Sequence, residues 1–372
     1  MKVGIDTFGL NGGKSGAGLY VRSLVSHLQN DADFQFELFG SEADKYTFNA
    51  GTNIPFAEVK IPASANAEKA WHFFSHDKFI KTQKYDCVMY PLASNGMLNH
   101  LAKKSLVIQN SVASKDLQSD EKSFVERFRI VHLLKKATCV VCPSMYVKKD
   151  LRALGIKEKR LAVIHNGIDG KLFFPRNYSE TEDVIIKPFA IKRPYFIYGS
   201  RLSGLEKKHL ELIKAFEIFK TKTTAPHRLV IAGEDDEMSE SVFFAARSST
   251  FSSDIFMTGF FPHESFPLLY AASNACVFPS VNEGVGIPIL EAMASGVPVL
   301  CAKKAALPEM GGDAALYFDS ENVNDIADAM IKIVFDDELR KSLIARGIKW
   351  VKRFDWTETA SRIKVELAKM NS

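Results

Sequence analysis

Two glutamates with seven residues between them are the part of this sequence whose types and spacing best suit chemistry. They are Glu283 and Glu291, in the run PSVNEGVGIPILEAMASGVPVL at residues 279–300. The run follows a strand-like apolar stretch, passes through a glycine-containing turn and enters a helical pattern, so free backbone N–H groups should face a ligand there. Such a helix start suits a phosphate. Because Glu291 lies about two turns into the helix, we expect the carboxylates to bind different hydroxyl groups at different depths of one pocket.

The alternative interpretation is that both glutamates are solvated surface acids. Glu291 follows Ile289 and Leu290 and precedes Ala292 and Met293. Those neighbours are typical of a buried segment, which is an unusual setting for a surface acid. The setting therefore favours a binding role for Glu291.

A second group of candidates is a pair of cations in the stretch GSRLSGLEKKH at residues 199–209, between a predicted strand and a predicted helix. Arg201 offers a planar fork of donors and Lys207 a compact charge, and both suit a departing diphosphate whose negative charge grows in the transition state. Two surface cations are the alternative. The nearby glutamate run favours the diphosphate interpretation.

A third candidate is the glycine-rich stretch TFGLNGGKSGAGLYV at residues 7–21, directly after the first predicted strand. Glycines there allow the backbone to approach an anion closely. The Gly13-Lys14-Ser15 segment also invites a phosphate-loop NTPase interpretation, but that motif requires a glycine where Phe8 stands.

Taken together, these stretches resemble the family 4 retaining glycosyltransferases (glycosyl transferases group 1), which have the GT-B fold. The run from Glu283 to Leu300 matches the family pattern of two glutamates set among glycines and prolines. The resemblance extends to VIHNGID at 163–169 and to Phe354-Asp-Trp356. It implies that Glu283 lies beside the transferred sugar and that Glu291 accepts hydrogen bonds from the donor ribose.

The same resemblance assigns further residues to the donor and the acceptor. Arg201 and Lys207 match the family's cation pair, with Lys207 rather than Lys208 in the matching position. The resemblance implies that the remaining donor contacts come from Gly16, Gly18 and the backbone of Gly284, Val285, Gly286 and Ile287.

The acceptor side departs from the family pattern at Gln109 and Asn110, where many relatives carry His-Asp or His-Asn. A neutral amide cannot act as a base. Enzymes of this kind are thought to let the leaving phosphate take the acceptor proton, so Gln109 and Asn110 are acceptor-side candidates only.

Length and composition favour a protein of two folded domains. The 372 residues, 46% hydrophobic and 25% charged, exceed the usual size of one core. Alternating strand and helix patterns predict an α/β fold of two doubly wound Rossmann-like domains facing each other across a cleft, the GT-B arrangement. We expect an acceptor-side domain at 1–170, a nucleotide-sugar-binding domain at 171–353 and a helix at 354–372 that packs back toward the first. Residues 166–194 are expected to form the connector.

Twelve strands are predicted from short apolar runs. They are Val3–Asp6, Phe34–Phe39, Asp86–Tyr90, Ser105–Gln109, Thr138–Pro143, Leu161–Ile164, Tyr195–Tyr198, Arg228–Ala232, Ile255–Thr258, Ala275–Phe278, Val297–Cys301 and Ala315–Phe318.

The net charge of +4 is unevenly distributed along the chain. Residues 1–175 hold 24 Lys and Arg against 17 Asp and Glu, and the segment from Lys103 to Arg160 holds 14 against 6. That segment is either a solvated face or a surface that binds an anionic membrane. No apolar run or leader pattern indicates a membrane span or secretion. We therefore expect a cytoplasmic protein, and the membrane-binding interpretation of the basic segment predicts peripheral attachment to the inner face of the membrane.

The sequence therefore predicts a metal-independent retaining glycosyltransferase. It would move a hexose or deoxyhexose from a nucleoside diphosphate sugar to a glycan or lipid-linked acceptor, in polysaccharide or lipopolysaccharide assembly. No Asp-x-Asp pair is placed to hold a donor-bound cation, so no metal, no cofactor and no nucleic-acid partner are expected. The alternatives are a phosphate-loop NTPase and a non-catalytic nucleotide-sugar-binding protein of the same fold.

Overall fold

The computed structural model describes residues 1–13, 15–49, 51–62, 64–91, 101–118, 124–178, 184–186 and 189–370. Lys14 of the phosphate-loop alternative and Lys122 of the basic segment lie outside these residues. The chain forms two compact units: unit 1 is Met1–Gly167 with Phe354–Ser372, and unit 2 is Ile168–Arg353. The boundary between the first unit and the second therefore falls after Gly167, whereas the sequence predicts it after residue 170.

Unit 1 is built on a parallel sheet. The strands at 87–90, 105–108 and 139–142 are short apolar runs buried at every residue, as in a parallel sheet covered by helices. The strands of the sheet are β1 (Lys2–Asp6), β2 (Gln35–Gly40), β3 (Phe56–Glu58), β4 (Cys87–Tyr90), β5 (Ser105–Ile108), β6 (Cys139–Cys142) and β7 (Leu161–Val163). Their spatial order is β3-β2-β1-β4-β5-β6-β7.

Helices connect these strands and cover the sheet of unit 1. They are α1 (Gly16–His27), α2 (Glu42–Phe48), α3 (Ala65–Phe74), α4 (His76–Gln83), α5 (Ala113–Gln118), α6 (Phe124–Lys136), α7 (Met145–Ala153) and, from the end of the chain, α15 (Trp356–Lys369). Helix α15 begins after Asp355, whose carboxylate accepts from the N–H groups of Thr357 and Glu358. Its apolar face joins the hydrophobic core that contains α1.

Unit 2 has a second parallel sheet and a separate hairpin. The hairpin strands are β8 (Val184–Ile186) and β9 (Phe189–Ile191), and the sheet strands are β10 (Tyr195–Gly199), β11 (Arg228–Ala232), β12 (Ile255–Met257), β13 (Ala275–Phe278), β14 (Val299–Ala302) and β15 (Ala315–Phe318). The sheet order is β12-β11-β10-β13-β14-β15. Its helices are α8 (His209–Lys222), α9 (Ser239–Ser248), α10 (Phe266–Ala271), α11 (Ile287–Ala294), α12 (Leu307–Gly311), α13 (Val323–Phe335) and α14 (Asp337–Val351).

The twelve predicted strands are confirmed, but three further strands occur in the described residues. Strand β3 is a three-residue edge strand in which Glu58 interrupts the apolar pattern. The prediction of an irregular connector up to Pro194 is wrong for residues 184–186 and 189–191, because β8 and β9 pair there in antiparallel fashion with Val184 opposite Ile191.

Each parallel sheet has one point where the strand order reverses. In unit 1 the point lies between β1 and β4, and in unit 2 it lies between β10 and β13. Connections leave the two neighbouring strands toward opposite faces at such a point, so a crevice opens at their carboxyl ends, where ligands of α/β sheets bind.

Candidate active site

The strongest candidate site lies at the reversal point of unit 2. One loop follows β10 and carries Arg201 and Lys207, and another follows β13 and carries Glu283. The two loops are joined by a backbone hydrogen bond in which the N–H of Val281 donates to the carbonyl of Glu206 at 2.9 Å. Residues far apart in the sequence are therefore held together by adjacent strand ends.

Lys207 and Glu283 form an ion pair in this site. The distance from Lys207 Nζ to Glu283 Oε1 is 2.6 Å, and the two side chains are only 17% and 16% exposed. A short charge-assisted contact in partly desolvated surroundings is stronger than a surface pair. The backbone on both sides is fixed, because the Tyr198 hydroxyl donates to the carbonyl of Lys207 at 2.8 Å and the N–H of Ala306 donates to that of Glu283 at 3.2 Å.

Lys208, the neighbouring cation, has different partners. Its Nζ lies 3.0 Å from Glu211 Oε1 and 3.0 Å from Glu321 Oε2. Burial lowers the pKa of Lys208, but the hydrogen bonds to Glu321 and Glu211 outweigh that effect and leave the pKa above its ordinary value. Of the two adjacent lysines, the structure places Lys207 beside Glu283.

Glu291 lies in α11 and is 6% exposed. Its Oε1 accepts a hydrogen bond from Nε2 of His263 at 2.9 Å. No sequence pattern indicates a role for His263, which stands in the turn after β12. Only the packing of that turn against α11 reveals the pair.

The start of α11 provides the backbone of the candidate site. Gly286 precedes the helix with φ of 79°, and a Cβ there would lie 2.6 Å from the Leu307 side chain, so glycine is required for both conformation and space. No side chain caps this helix start. Gly284, Val285 and Gly286 are buried, and Ile287 begins the helix. Uncapped N–H groups at a helix start are suited to an anion.

Arg201 is placed differently from Lys207. Its side chain is 54% exposed, with Nε 3.8 Å from Glu234 and Nη1 3.9 Å from Asp236, in the loop after β11. At these distances the contacts are weak surface pairs. Within the described residues, Arg201 makes no ion pair with Glu283 or Glu291.

The other predicted site residues lie in unit 1, after β1 and β5. Gly16 is the first residue of α1, while the N–H of Gly18 donates to the Ser15 hydroxyl at 3.0 Å. A Cβ on Gly18 would lie 2.7 Å from Gly13 Cα, so packing alone requires glycine there. Gln109 is buried and its amide donates to the Ser111 hydroxyl at 2.9 Å; Asn110 follows it.

A buried polar cluster occupies the reversal point of unit 1. Asp6 ends β1, and its Oδ2 lies 3.5 Å from Nε2 of His72. Burial raises the pKa of Asp6 well above its ordinary value, and burial together with neighbouring His76 lowers that of His72 to about 3. His76 Nε2 lies 3.0 Å from the Tyr90 hydroxyl. No sequence pattern indicates this cluster, since its members come from four separate elements.

Across the described ranges, no group of three or more His, Cys, Asp or Glu side chains is arranged to hold a metal ion. Among the helices in those ranges, none combines the length and the apolar character that a membrane crossing requires.

Comparisons with known proteins identify the family. Residues 14–171 match the family model described as Glycosyltransferase Family 4, and residues 180–350 match the one described as Glycosyl transferases group 1. The O-antigen chain mannosyltransferase B of Escherichia coli is 33% identical over 201 residues, 52% of this chain and 51% of the relative. The chain thus spans about half the length of this curated relative.

Two solved structures share the fold over their whole length. Anabaena HepE in complex with UDP-glucose has a TM-score of 0.76 at 18% identity, covering 99% of this chain and 100% of that one. Sucrose-phosphate synthase from Thermosynechococcus elongatus has a TM-score of 0.76 at 17% identity, covering 100% and 99%. The resemblance and the fold class seen in the sequence are confirmed. Because the two family models between them match most of the chain, this protein belongs to the family 4 glycosyltransferases (glycosyl transferases group 1) and has their GT-B fold.

Proposed function

We propose that this glycosyltransferase moves a hexose or deoxyhexose from a nucleoside diphosphate sugar, with retention at the anomeric carbon, to a glycan or lipid-linked acceptor. The observation that carries the proposal is the Lys207–Glu283 pair beside the uncapped start of α11. A cation, a carboxylate and backbone donors are what a sugar diphosphate needs: donors for the phosphates and an acceptor for the sugar hydroxyls.

Each residue has a role in the proposed step. The bond from the anomeric carbon to the phosphate oxygen breaks, the acceptor oxygen bonds to that carbon, and the leaving phosphate takes the acceptor proton. Lys207, Arg201 and the N–H groups near Gly286 stabilise the charge on the departing diphosphate. Lys207 can do so without releasing Glu283, because an ammonium has three donors. Glu283 orients the sugar, and Glu291 binds the ribose.

The names of similar proteins support the choice of donor class. One relative is a mannosyltransferase, and a solved structure of the same fold contains UDP-glucose. Hexose donors are therefore the first to test. We also propose that the acceptor belongs to polysaccharide or lipopolysaccharide assembly, and that Gly16, Gly18, Gln109 and Asn110 serve donor and acceptor on the side of unit 1.

The test is a panel of UDP-, GDP-, ADP- and dTDP-hexoses, each assayed for hydrolysis and for transfer to lipid-linked glycans. We expect one nucleotide class to be used, with a product whose anomeric configuration, read by NMR, equals that of the donor. Activity should persist in excess EDTA, because the proposed partners of the diphosphate are Lys207, Arg201 and backbone N–H groups rather than a cation.

Three results of the panel would contradict parts of this proposal. An inverted product overturns retention, and activity that EDTA abolishes and magnesium restores overturns metal independence. A protein that binds a sugar nucleotide without hydrolysing or transferring it is the non-catalytic alternative. Stabilisation by ATP and by none of the sugar nucleotides would favour the phosphate-loop alternative.

We further propose that unit 1 binds an anionic membrane surface, which would place a cytoplasmic protein at the inner face of the membrane. Between residues 125 and 136 of α6, the exposed residues are Val125, Phe128, His132, Lys135 and Lys136. Their spacing of three and four places them on one face. Val125 and Phe128 are 73% and 68% exposed. An exposed face with apolar residues at one end and cations at the other suits the boundary between headgroups and acyl chains.

Helix α7 adds a similar face. Met145 is 56% exposed, and Lys149 is also exposed. Lys148 and Arg152 are less available, because both contact Glu158, at 2.6 and 2.9 Å. The docking surface therefore consists of Val125, Phe128, Lys135, Lys136 and Lys149. Each of its lysines near an anionic leaflet contributes about 1 kcal/mol.

Co-sedimentation with vesicles of increasing phosphatidylserine content tests the docking surface. We expect binding at low salt, and we expect the Lys135→Glu, Lys136→Glu, Lys149→Glu triple variant to lose it. The control changes three exposed lysines of unit 2, Lys214, Lys349 and Lys352, to Glu and alters the net charge equally. Equal loss in both variants, or no wild-type binding at low salt, would show that these cations are a solvated face.

A further inference from the structure

Among the described residues, His263 is the one side chain that forms a hydrogen bond with the buried carboxyl group of Glu291. Glu291 is 8% exposed as a side chain, and its Oε1 lies 2.9 Å from His263 Nε2. Within the described residues, Oε2 makes no hydrogen bond. A buried carboxylate needs partners to remain ionised and fixed in direction. The orientation of Oε2 therefore depends on the contact at Oε1.

His263 is held in place from a second direction. Its ring meets Phe173 edge to face, with centroids 5.6 Å apart. Phe173 is 3% exposed, and its N–H donates to the carbonyl of Asp169 at 2.9 Å. The Asp169 carboxylate accepts from the N–H groups of Lys171 and Leu172, which fixes the turn that carries Phe173. The imidazole is thus fixed between a buried ring and a buried carboxylate.

The chemistry of the contact defines which atom carries the proton. An ionised carboxylate can only accept, so the hydrogen bond requires the proton on Nε2 of His263. The contact leaves Oε2 of Glu291 able to accept hydrogen bonds from a ligand. It also stops the carboxylate from turning, which lowers the entropy that binding must otherwise remove.

We infer that His263 is a positioning residue for the donor: it holds Glu291 so that the free carboxylate oxygen accepts from the ribose hydroxyls of the nucleoside diphosphate. This inference rests on the proposed function, which assigns Glu291 to the ribose. Because His263 acts through Glu291, its removal should weaken donor binding and leave the chemical step nearly unchanged. It raises the donor affinity that Glu291 provides, from an element that carries no family pattern.

The experiment is isothermal titration with UDP, GDP, ADP and dTDP, continued with the nucleotide that binds the wild type. It uses His263→Ala, His263→Gln, Glu291→Ala and the double variant with both alanines. We expect His263→Ala to raise Kd about tenfold and His263→Gln to restore most of the affinity, because a glutamine amide donates from nearly the same place. In the Glu291→Ala background, His263→Ala should have no further effect. Steady-state assays should show the change in donor KM, with kcat altered less than about twofold.

The outcomes separate the inference from the proposed function. Wild-type affinity in His263→Ala, with weak binding by Glu291→Ala, overturns the role of His263 alone. If His263→Ala lowers affinity equally in the wild type and in Glu291→Ala, with no rescue by His263→Gln, that result overturns the role as well, because it indicates a merely structural residue. Wild-type affinity in Glu291→Ala, or no binding of any of the four nucleotides, contradicts the proposed function and the inference with it.

Discussion

Lys207 carries three N–H donors, and in the described residues one of them is used, by Glu283. The other two are available to phosphate oxygens in the proposed mechanism. Arg201 is 54% exposed and has only loose contacts with Glu234 and Asp236, so it can change partners at little cost. The two cations would thus meet a diphosphate in different ways, one fixed and one adaptable.

We expect Lys207→Ala and Arg201→Ala each to lower kcat at least roughly tenfold with the fold intact, because both act on charge that develops as the diphosphate leaves. Tenfold corresponds to about 1.4 kcal/mol of transition-state stabilisation. The control is Lys208→Asn, since Lys208 contacts Glu211 and Glu321 instead and its φ of 58° tolerates asparagine. Steady-state kinetics measure kcat, and circular dichroism shows whether the fold is intact. Undiminished kcat in the alanine variants would remove these residues from the mechanism.

The sequence predicts the charged residues of the site better than it predicts their contacts. Glu283, Lys207 and Glu291 are recognisable because charged residues stand in unusual apolar or glycine-rich surroundings. The proximity of Lys207 and Glu283 is expected only once β10 and β13 are known to be neighbours. His263 has no such local signal, because its role depends on a turn packing against a helix 28 residues away.

At the scale of elements, the apolar character of a strand and of its surroundings decides what could be predicted. Runs of four or more apolar residues, such as β13 and β14, are recognisable because both faces of a parallel sheet are buried. Strand β3 contains Glu58 and lies at a sheet edge, and the hairpin strands β8 and β9 stand in a polar stretch typical of a connector. Strand β3 pairs with β2, and β8 and β9 pair with each other, so pairing rather than an apolar pattern identifies these strands.

A histidine packed between α8 and the sheet of unit 2 has a different pKa in the folded and unfolded states. His227 stacks on Phe196 of β10 at 5.1 Å and meets Phe219 of α8 at 5.8 Å. Burial, with a smaller effect of Lys220, lowers the pKa of His227 to about 4. At a pH above about 6.5, the ordinary pKa of histidine, the side chain is neutral in both the folded and the unfolded chain. As the pH falls from there toward 4, the unfolded chain binds a proton that the folded one does not, so stability falls.

We therefore expect His227→Phe, which keeps the ring stack without titrating, to gain stability relative to the wild type as the pH is lowered. At pH 5 the gain relative to pH 7 should be about 2 kcal/mol, or about 4–8 °C in the Tm of a unit of this size. Thermal unfolding of both proteins at pH 7 and pH 5 measures it. If the difference in stability between His227→Phe and the wild type is the same at both pH values, His227 is not buried in its neutral form.

At the scale of the whole molecule, the chain passes from unit 1 into unit 2 and then returns. Residues Trp356, Ala360, Ile363 and Leu367 of α15 belong to the same hydrophobic core as Tyr20 and Leu24 of α1. Trp356 is 6% exposed, and a Cβ on Gly167 would lie 2.5 Å from its ring. Unit 1 is therefore completed by residues from both ends of the described chain.

We expect Trp356→Ala to destabilise unit 1 by about 3–5 kcal/mol, because it leaves a cavity beside Tyr20. The matched control on the same helix is Val365→Ala, since Val365 is 51% exposed and should cost little. Hydrogen exchange read by mass spectrometry assigns the loss to a unit. Faster exchange in unit 2 and not in unit 1 would contradict this account of α15.

The return of the chain also sets an order of events during synthesis. Residues 354–370 leave the ribosome only after residues 168–353 of unit 2 have been made. During that time Trp356 cannot yet pack beside Tyr20. At about 5–20 residues per second, that interval lasts roughly 10–40 seconds. Throughout it the nascent unit 1 exposes the apolar surface of α1 that α15 later covers. The first half of the polypeptide is thus translated early but matures last, and chaperones that recognise exposed apolar surface have their longest access to it.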